Sequence, residues 1–145
     1  MAYTHVAHDC FLGDKVILAN GVQLAGHVTI EDWVTVGGLV PVHQFCTIGK
    51  HSFIGGGFRV VQDVPPYILA AGEPLAFKGL NIIGLKRREF SQETIGQLRK
   101  CYRLLYQAKL NTSQALVRIR AEVNISAEVQ SVLDFIEKSE RGIIR

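Results

Sequence analysis

No apolar run in this 145-residue sequence approaches the roughly 20 residues needed to cross a bilayer, although 48% of its residues are hydrophobic. The opening MAYTHVAHDC has neither the basic region nor the apolar stretch of a signal peptide. A soluble, cytoplasmic protein is the expectation. Cysteine is scarce: Cys10, Cys46 and Cys101 make no even disulfide framework and contain no CxxC pair. Strong charge of one sign is missing too. The formal net charge of +3 is too mild for a general nucleic-acid binder, and Lys and Arg gather after residue 77, where any anionic partner should be sought. The length fits one domain, or a domain with an appendage, and suffices to bury a core.

What is abundant is a period of six. Val6, Leu12, Leu18, Leu24, Ile30, Val36, Val42, Ile48, Ile54 and Val60 follow one another at six-residue intervals, and all are aliphatic. The next position is mostly small (Ala7, Gly13, Ala19, Ala25, Gly37, Gly49, Gly55), and the position four after each aliphatic is usually Val, Cys or Ser. Neither a helix of period 3.6 nor an alternating strand keeps this phase for sixty residues. A hexad repeat predicts a parallel β-helix, in which three hexads complete a coil of eighteen residues and each coil lies about 4.8 Å above the last. The aliphatic side chains point inward and stack, and the small residues let the chain turn its corners.

An eighteen-residue coil makes neighbours computable. THVAHDC places His5 and His8 three apart with Asp9 after the second. Stepping on from Asp9 reaches His27 and then Phe45; stepping from His8 reaches Gly26, Gln44 and Gln62; Ala7 and Ala25 lead to His43. His8, Asp9, His27, His43 and Gln44 therefore fall within about two coil heights, on the order of 10 Å. Metal ligation, proton transfer and simple hydrogen bonding on a prism face are three readings of such a cluster. Cys10 and Cys46 share a column two coils apart, beyond disulfide reach.

The repeat is expected to stop after Val64, at Pro65 and Pro66, which cannot continue a ladder of strands. The predicted organisation is a β-helix over 1–66, an irregular or extended connector over 67–90, and helices over 91–145. Ser91 caps a helix running to about Lys109, with Ile95, Leu98, Tyr102 and Leu105 on one face. Thr112 or Ser113 starts a second helix, and Ser126 a third that ends near Gly142. These helices should cover the open end of the prism.

HVAHDC, LAGHVTI, VHQF, QDVPPYILAAGEP, GLNIIGLKRREF and the ending RGIIR together resemble one family, the acyl-carrier-protein:UDP-N-acetylglucosamine O-acyltransferases that begin lipid A synthesis. The hexads alone indicate only the wider hexapeptide transferase group. The resemblance implies an all-β solenoid plus α fold: a left-handed parallel β-helix with a small helical C-terminal domain, assembled as a homotrimer with active sites between subunits. It implies transfer of a 3-hydroxyacyl group from acyl carrier protein, whose phosphopantetheine thioester is the co-substrate, to the 3-hydroxyl of UDP-N-acetylglucosamine. No cofactor, metal, nucleic acid or membrane span is implied. Carried over residue by residue, His8 is the general base, Asp9 its orienting carboxylate and Gly26 the donor of an oxyanion-stabilising N–H. His5, His27, His43 and Gln44 line the sugar-nucleotide and acyl site, Asn81, Arg87 and Arg88 hold the nucleotide, and Gly56 is the ruler for acyl length. As a charge run alone, Lys86, Arg87 and Arg88 read as a solvated helix start; the match to GLKRR moves them to a phosphate or carrier-protein site.

Ile83 departs from the family pattern, standing where many members carry a glutamate that contacts the nucleotide. Members usually have several further coils before the equivalent of THVAHDC, so the chain is expected to match about the C-terminal half of such an enzyme. By itself it is expected to fold and trimerise but to transfer acyl groups poorly or not at all. Two alternatives stay open: a sister N-acyltransferase acting on an amino-sugar nucleotide, and a non-catalytic, trimerising β-helix fragment.

Overall fold

A computed structural model describes residues 1–145. Nine two-residue strands wind through three coils: β1 (His5–Val6), β2 (Phe11–Leu12) and β3 (Ile17–Leu18), then β4 (Gln23–Leu24), β5 (Thr29–Ile30) and β6 (Thr35–Val36), then β7 (Pro41–Val42), β8 (Thr47–Ile48) and β9 (Phe53–Ile54). Strands eighteen residues apart pair in parallel, so His5 lies opposite Gln23, Phe11 opposite Thr29 and Ile17 opposite Thr35. The three faces are β1-β4-β7, β2-β5-β8 and the face carrying β3, β6 and β9. This is the parallel β-helix that the hexads predicted, with the left hand that the resemblance implied.

The second residue of each strand points inward, as expected: Leu24, Ile30, Val36, Ile48 and Ile54 are all buried. Val6 and Leu12, in the first coil described, belong to the same columns and keep 42% and 40% of their surface. Val22, Val28, Val34, Val40, Cys46 and Ser52 fill the second inward position. Small residues beside the strands are needed because the next coil passes close. A Cβ on Gly37 would stand 2.5 Å from the Gly56 nitrogen, and one on Gly49 2.5 Å from the Pro66 nitrogen. Each corner is turned by a residue in the left-handed conformation; Asp9, His27 and Phe45 form one such column, with φ of 60°, 59° and 65°. The conformation is uncommon for residues other than glycine. It is held by a hydrogen bond to the coil below, such as His27 N–H to the His8 carbonyl at 3.0 Å.

The repeat does not end at the two prolines. Val60 bridges to Val42, Val64 bridges to Ile48, and β10 (Ile68–Ala71) pairs in parallel with β9, so a fourth coil forms with two shortened sides. Pro65 and Pro66 sit at a corner where Tyr67 supplies the ladder donor, its N–H reaching the Lys50 carbonyl at 2.8 Å. Their missing N–H groups cost nothing there, and their carbonyls accept from Ser52 and Tyr102 hydroxyls. The stretch 67–90, expected as a connector, thus contains β10, then β11 (Ala76–Leu80) antiparallel to it, and a short helix α1 (Ile82–Arg87).

Ser91 caps α2 (Gln92–Tyr106) as predicted, although the helix ends short of Lys109. The helix that starts at Thr112, α3 (Thr112–Glu122), takes Asn111 as its cap with a full capping box, and Ser126 caps α4 (Ala127–Lys138) as predicted. α4 stops short of Gly142, because the tail leaves the helix to pair with the fourth coil. Asp63 bridges to Ile143, its N–H donating to the Gly142 carbonyl while its own carbonyl accepts from Ile144. The prism end is therefore closed by β11 and the tail as well as by α2, and one apolar core runs from Val22 to Ile144.

Candidate active site

Two groups of predicted residues lie at two different corners of the prism. The first is the corner between the β1-β4-β7 face and the β2-β5-β8 face. Asp9 is central to it: its Oδ2 lies 3.0 Å from His8 Nδ1 and 3.7 Å from His27 Nε2. The His8 and His27 rings meet edge to face at 5.1 Å, and His27 stacks on Phe45 at 4.7 Å. This is the column order that counting by eighteen gave. His43 is turned toward its own strand end, Nδ1 lying 3.2 Å from the Gln44 carbonyl. His5 on β1, in register with Gln23 on β4, makes no hydrogen bond through its ring.

A carboxylate can only accept, so the His8 nitrogen facing Asp9 carries the proton and Nε2 keeps its lone pair. The hydrogen bond from His8 and the charge of His27 hold the Asp9 carboxyl below the usual carboxylate range. The partner of His8 thus stays anionic. Gly26 lies beside the Cε1–Nε2 edge of the ring: a Cβ there would be 2.6 Å from Cε1 and 2.8 Å from Nε2. The Gly26 N–H donates to no acceptor within the chain. The exposed lone pair of His8 can deprotonate a hydroxyl, and the unpaired N–H of the neighbouring Gly26 is of the kind that can receive an oxyanion. His8, Asp9 and His27 also offer three ligand atoms within 4.8 Å of one another, so a metal ion could be held there. At 3.0 Å, however, His8 and Asp9 already share a proton, and a metal would have to displace it.

The second group lies at the corner between the β2-β5-β8 face and the face of β3, β6 and β9, under α1. A cavity of about 880 Å³ opens there, with Ile17, Trp33 and Phe53 on its apolar floor and Asn81, Arg87 and Arg88 at its edge. Asn81 caps α1, accepting from Gly84 N–H, and its amide donates to the His51 carbonyl at 3.0 Å. A side chain at 84 would displace the Asn81 amide, since a Cβ would stand 2.5 Å from Asn81 Nδ2. The Arg88 guanidinium lies 5.0 Å over the Trp33 ring and bonds to His51 Nδ1 at 3.2 Å. Ile83 lines the same cavity and is 69% exposed, an apolar contact where the family pattern has a carboxylate.

One chain does not bring these groups together. Gly56 lies at the third corner, in the column of Gly38 and Asn20. His51 and Trp33 were missed by sequence reading, although they share one eighteen-residue column and so could have been paired by the same counting.

A family profile described as Udp N-acetylglucosamine O-acyltransferase, domain 2, matches residues 63–144. The chain is 46% identical over 145 residues to an acyl-[acyl-carrier-protein]--UDP-N-acetylglucosamine O-acyltransferase of Thiobacillus denitrificans, covering 100% of this chain and 56% of that protein. It is 50% identical over 141 residues to the protein of the same name from Aliivibrio fischeri, covering 97% and 54%. Among solved structures, a UDP-N-acetylglucosamine acyltransferase from Bacteroides fragilis superposes with a TM-score of 0.97 at 48% identity, over 98% of this chain and 56% of that one. The chain thus spans a little over half the length of the relatives it matches.

Proposed function

The chain belongs to the UDP-N-acetylglucosamine O-acyltransferase family, and on that premise we propose that it carries the catalytic part of an enzyme that moves a 3-hydroxyacyl group from acyl carrier protein to the 3-hydroxyl of UDP-N-acetylglucosamine, the first step of lipid A biosynthesis. The observation that carries this reading is the His8 ring, held by Asp9 through Nδ1 and lying where a side chain on Gly26 would go, beside a residue whose N–H has no acceptor within the chain. His8 Nε2 takes the proton of the sugar hydroxyl as that oxygen attacks the thioester carbonyl. The carbonyl oxygen gathers negative charge beside Gly26 N–H. When the intermediate collapses, the C–O bond remains, the C–S bond breaks, and the imidazolium returns the proton to the pantetheine sulfur. Asp9 keeps the ring tautomer and stabilises its cationic form. No cofactor enters these steps.

His5, His27, His43 and Gln44 would line the acceptor and acyl site, while Asn81, Arg87 and Arg88 hold the nucleotide, where arginine forks suit phosphate. The two groups lie at different corners, which favours a homotrimer whose sites form between one chain's His8 corner and its neighbour's α1 corner. The matched family and relatives are named for O-acylation, which favours ester formation over the amide-forming sister. No helix is long and apolar enough to cross a membrane; a cytoplasmic location is part of the proposal.

The test is acyl transfer by the assembled protein with His8→Ala, UDP-N-acetylglucosamine and its amino analogue both being offered. Turnover should fall by roughly 10² to 10⁴ while sedimentation still reports a trimer. Near-normal turnover would remove His8 as the base. Preferential transfer to the amino analogue would favour the sister reaction, and a monomer would refute the shared site.

A further inference from the structure

His51 has no assigned role, yet it touches Asn81 and Arg88, two of the residues at the edge of the second cavity. It occupies the middle of a vertical stack: Trp33 from the coil below lies at 6.1 Å and 9°, Tyr67 from the coil above at 5.6 Å and 15°. Phe90 closes the side, edge-on at 5.0 Å. One ring nitrogen, Nδ1, lies 3.2 Å from Arg88 Nη1. A guanidinium only donates, so Nδ1 offers a lone pair and the proton sits on Nε2. The backbone carbonyl of the same residue accepts the Asn81 amide at 3.0 Å. His51 thus grips α1 at both ends, through its N-cap Asn81 and its C-cap Arg88.

We propose that His51 is a positioning residue for nucleoside diphosphate recognition: the lone pair of its Nδ1 holds the Arg88 guanidinium over Trp33, and its carbonyl holds Asn81, so both groups are set before the ligand arrives. The inference rests on the reading that Asn81 and Arg88 face the nucleotide. Burial, followed by the charges of Arg88 and Lys50, pushes the imidazole down to about 4, against an opposing effect of Asp32. The ring therefore stays an acceptor at neutral pH. An arginine left free would have to be ordered by the ligand itself, a loss of about two- to tenfold in affinity.

A purely structural role for the ring can be separated from its role as acceptor. His51→Phe keeps an aromatic ring in the stack and removes Nδ1; Phe45 already adopts the same corner conformation, φ 65° against 61°, and stacks on His27. His51→Asn keeps an acceptor near Nδ1 in a residue that tolerates positive φ. UDP binding to the assembled protein is measured by calorimetry for these variants, for Arg88→Ala and for His51→Phe with Arg88→Ala, each checked for an intact trimer.

Binding by His51→Phe should weaken about two- to tenfold, and the double variant should bind no worse than Arg88→Ala alone, because the effect passes through Arg88. KM for the sugar nucleotide should rise with kcat little changed. His51→Asn should recover most of the affinity. If His51→Phe binds UDP like the wild type, or if its loss adds to that of Arg88→Ala, the proposal falls. Should His51→Phe not fold, the Asn variant decides: an affinity reduced as far as that of Arg88→Ala overturns the acceptor role. UDP binding indifferent to Arg88→Ala would instead refute the nucleotide reading itself.

Discussion

The edge of the His8 ring stands where a side chain on Gly26 would have to go. A Cβ there would lie 2.6 Å from Cε1 and 2.8 Å from Nε2 of the imidazole. Backbone strain is not the issue, since Gly26 is absent from the positive-φ residues. Gly26→Ala should therefore push the ring aside and leave the coil intact, His8 being 73% exposed and free to swing. Turnover should fall by roughly 10² or more with an unchanged melting temperature. Retained turnover in the acyl-transfer assay would mean that the ring need not face residue 26.

Asp63 is the joint between the solenoid and the tail. It is 4% exposed, and its carboxylate accepts from Thr47 N–H at 2.8 Å and from the Ser139 hydroxyl at 2.6 Å. Asp63→Ala strands both donors and should destabilise by about 2–4 kcal/mol in urea unfolding. Ser139→Ala leaves the Thr47 contact in place and should cost about 1 kcal/mol. Equal losses in the two variants would show that the carboxylate does not join the two parts.

Stability should depend on pH through His51. Its imidazole lies at about 4 in the folded chain against an ordinary 6.5. Between those values the unfolded chain takes up the proton first. The contribution of His51 is full above pH 6.5, declines as pH falls toward 4 and declines no further below. The groups facing it are Arg88, Lys50 and Asp32, of which only Asp32 favours the charged ring. Melting temperatures recorded from pH 7 to 4 should fall more steeply for the wild type than for His51→Asn. Parallel curves would contradict the assignment.

Gly56, proposed as the acyl ruler, has room for a side chain. A Cβ would meet the Gly38 carbonyl oxygen at 3.4 Å and its nitrogen at 3.6 Å, close to ordinary contact. Gly56→Met should accordingly fold and shift preference toward shorter 3-hydroxyacyl chains, read from competition between acyl donors of different length. An unaltered chain-length profile in a well-folded trimer would move the ruler elsewhere.

Ten aliphatics six residues apart were enough to determine the solenoid, because every hexad repeats one local geometry and stacks on a copy of itself. The same counting by eighteen put Asp9 under His27 and His27 under Phe45, so the His8 corner was legible before any coordinates. The ends of the helices at Ser91 and Ser126 were legible too, since a cap is a local hydrogen bond. Beyond Val60 the period shortens, and nothing local marks Pro65 and Pro66 as a corner of a fourth coil rather than its end. That depends on Tyr67 supplying the ladder donor and Tyr102 reaching the Pro66 carbonyl across 36 residues. The meeting of Arg88 with His51 spans 37 residues and that of Ser139 with Asp63 spans 76. Only tertiary packing could decide those contacts, because a repeat encodes the neighbour one coil away and says nothing about a helix that folds back from outside it.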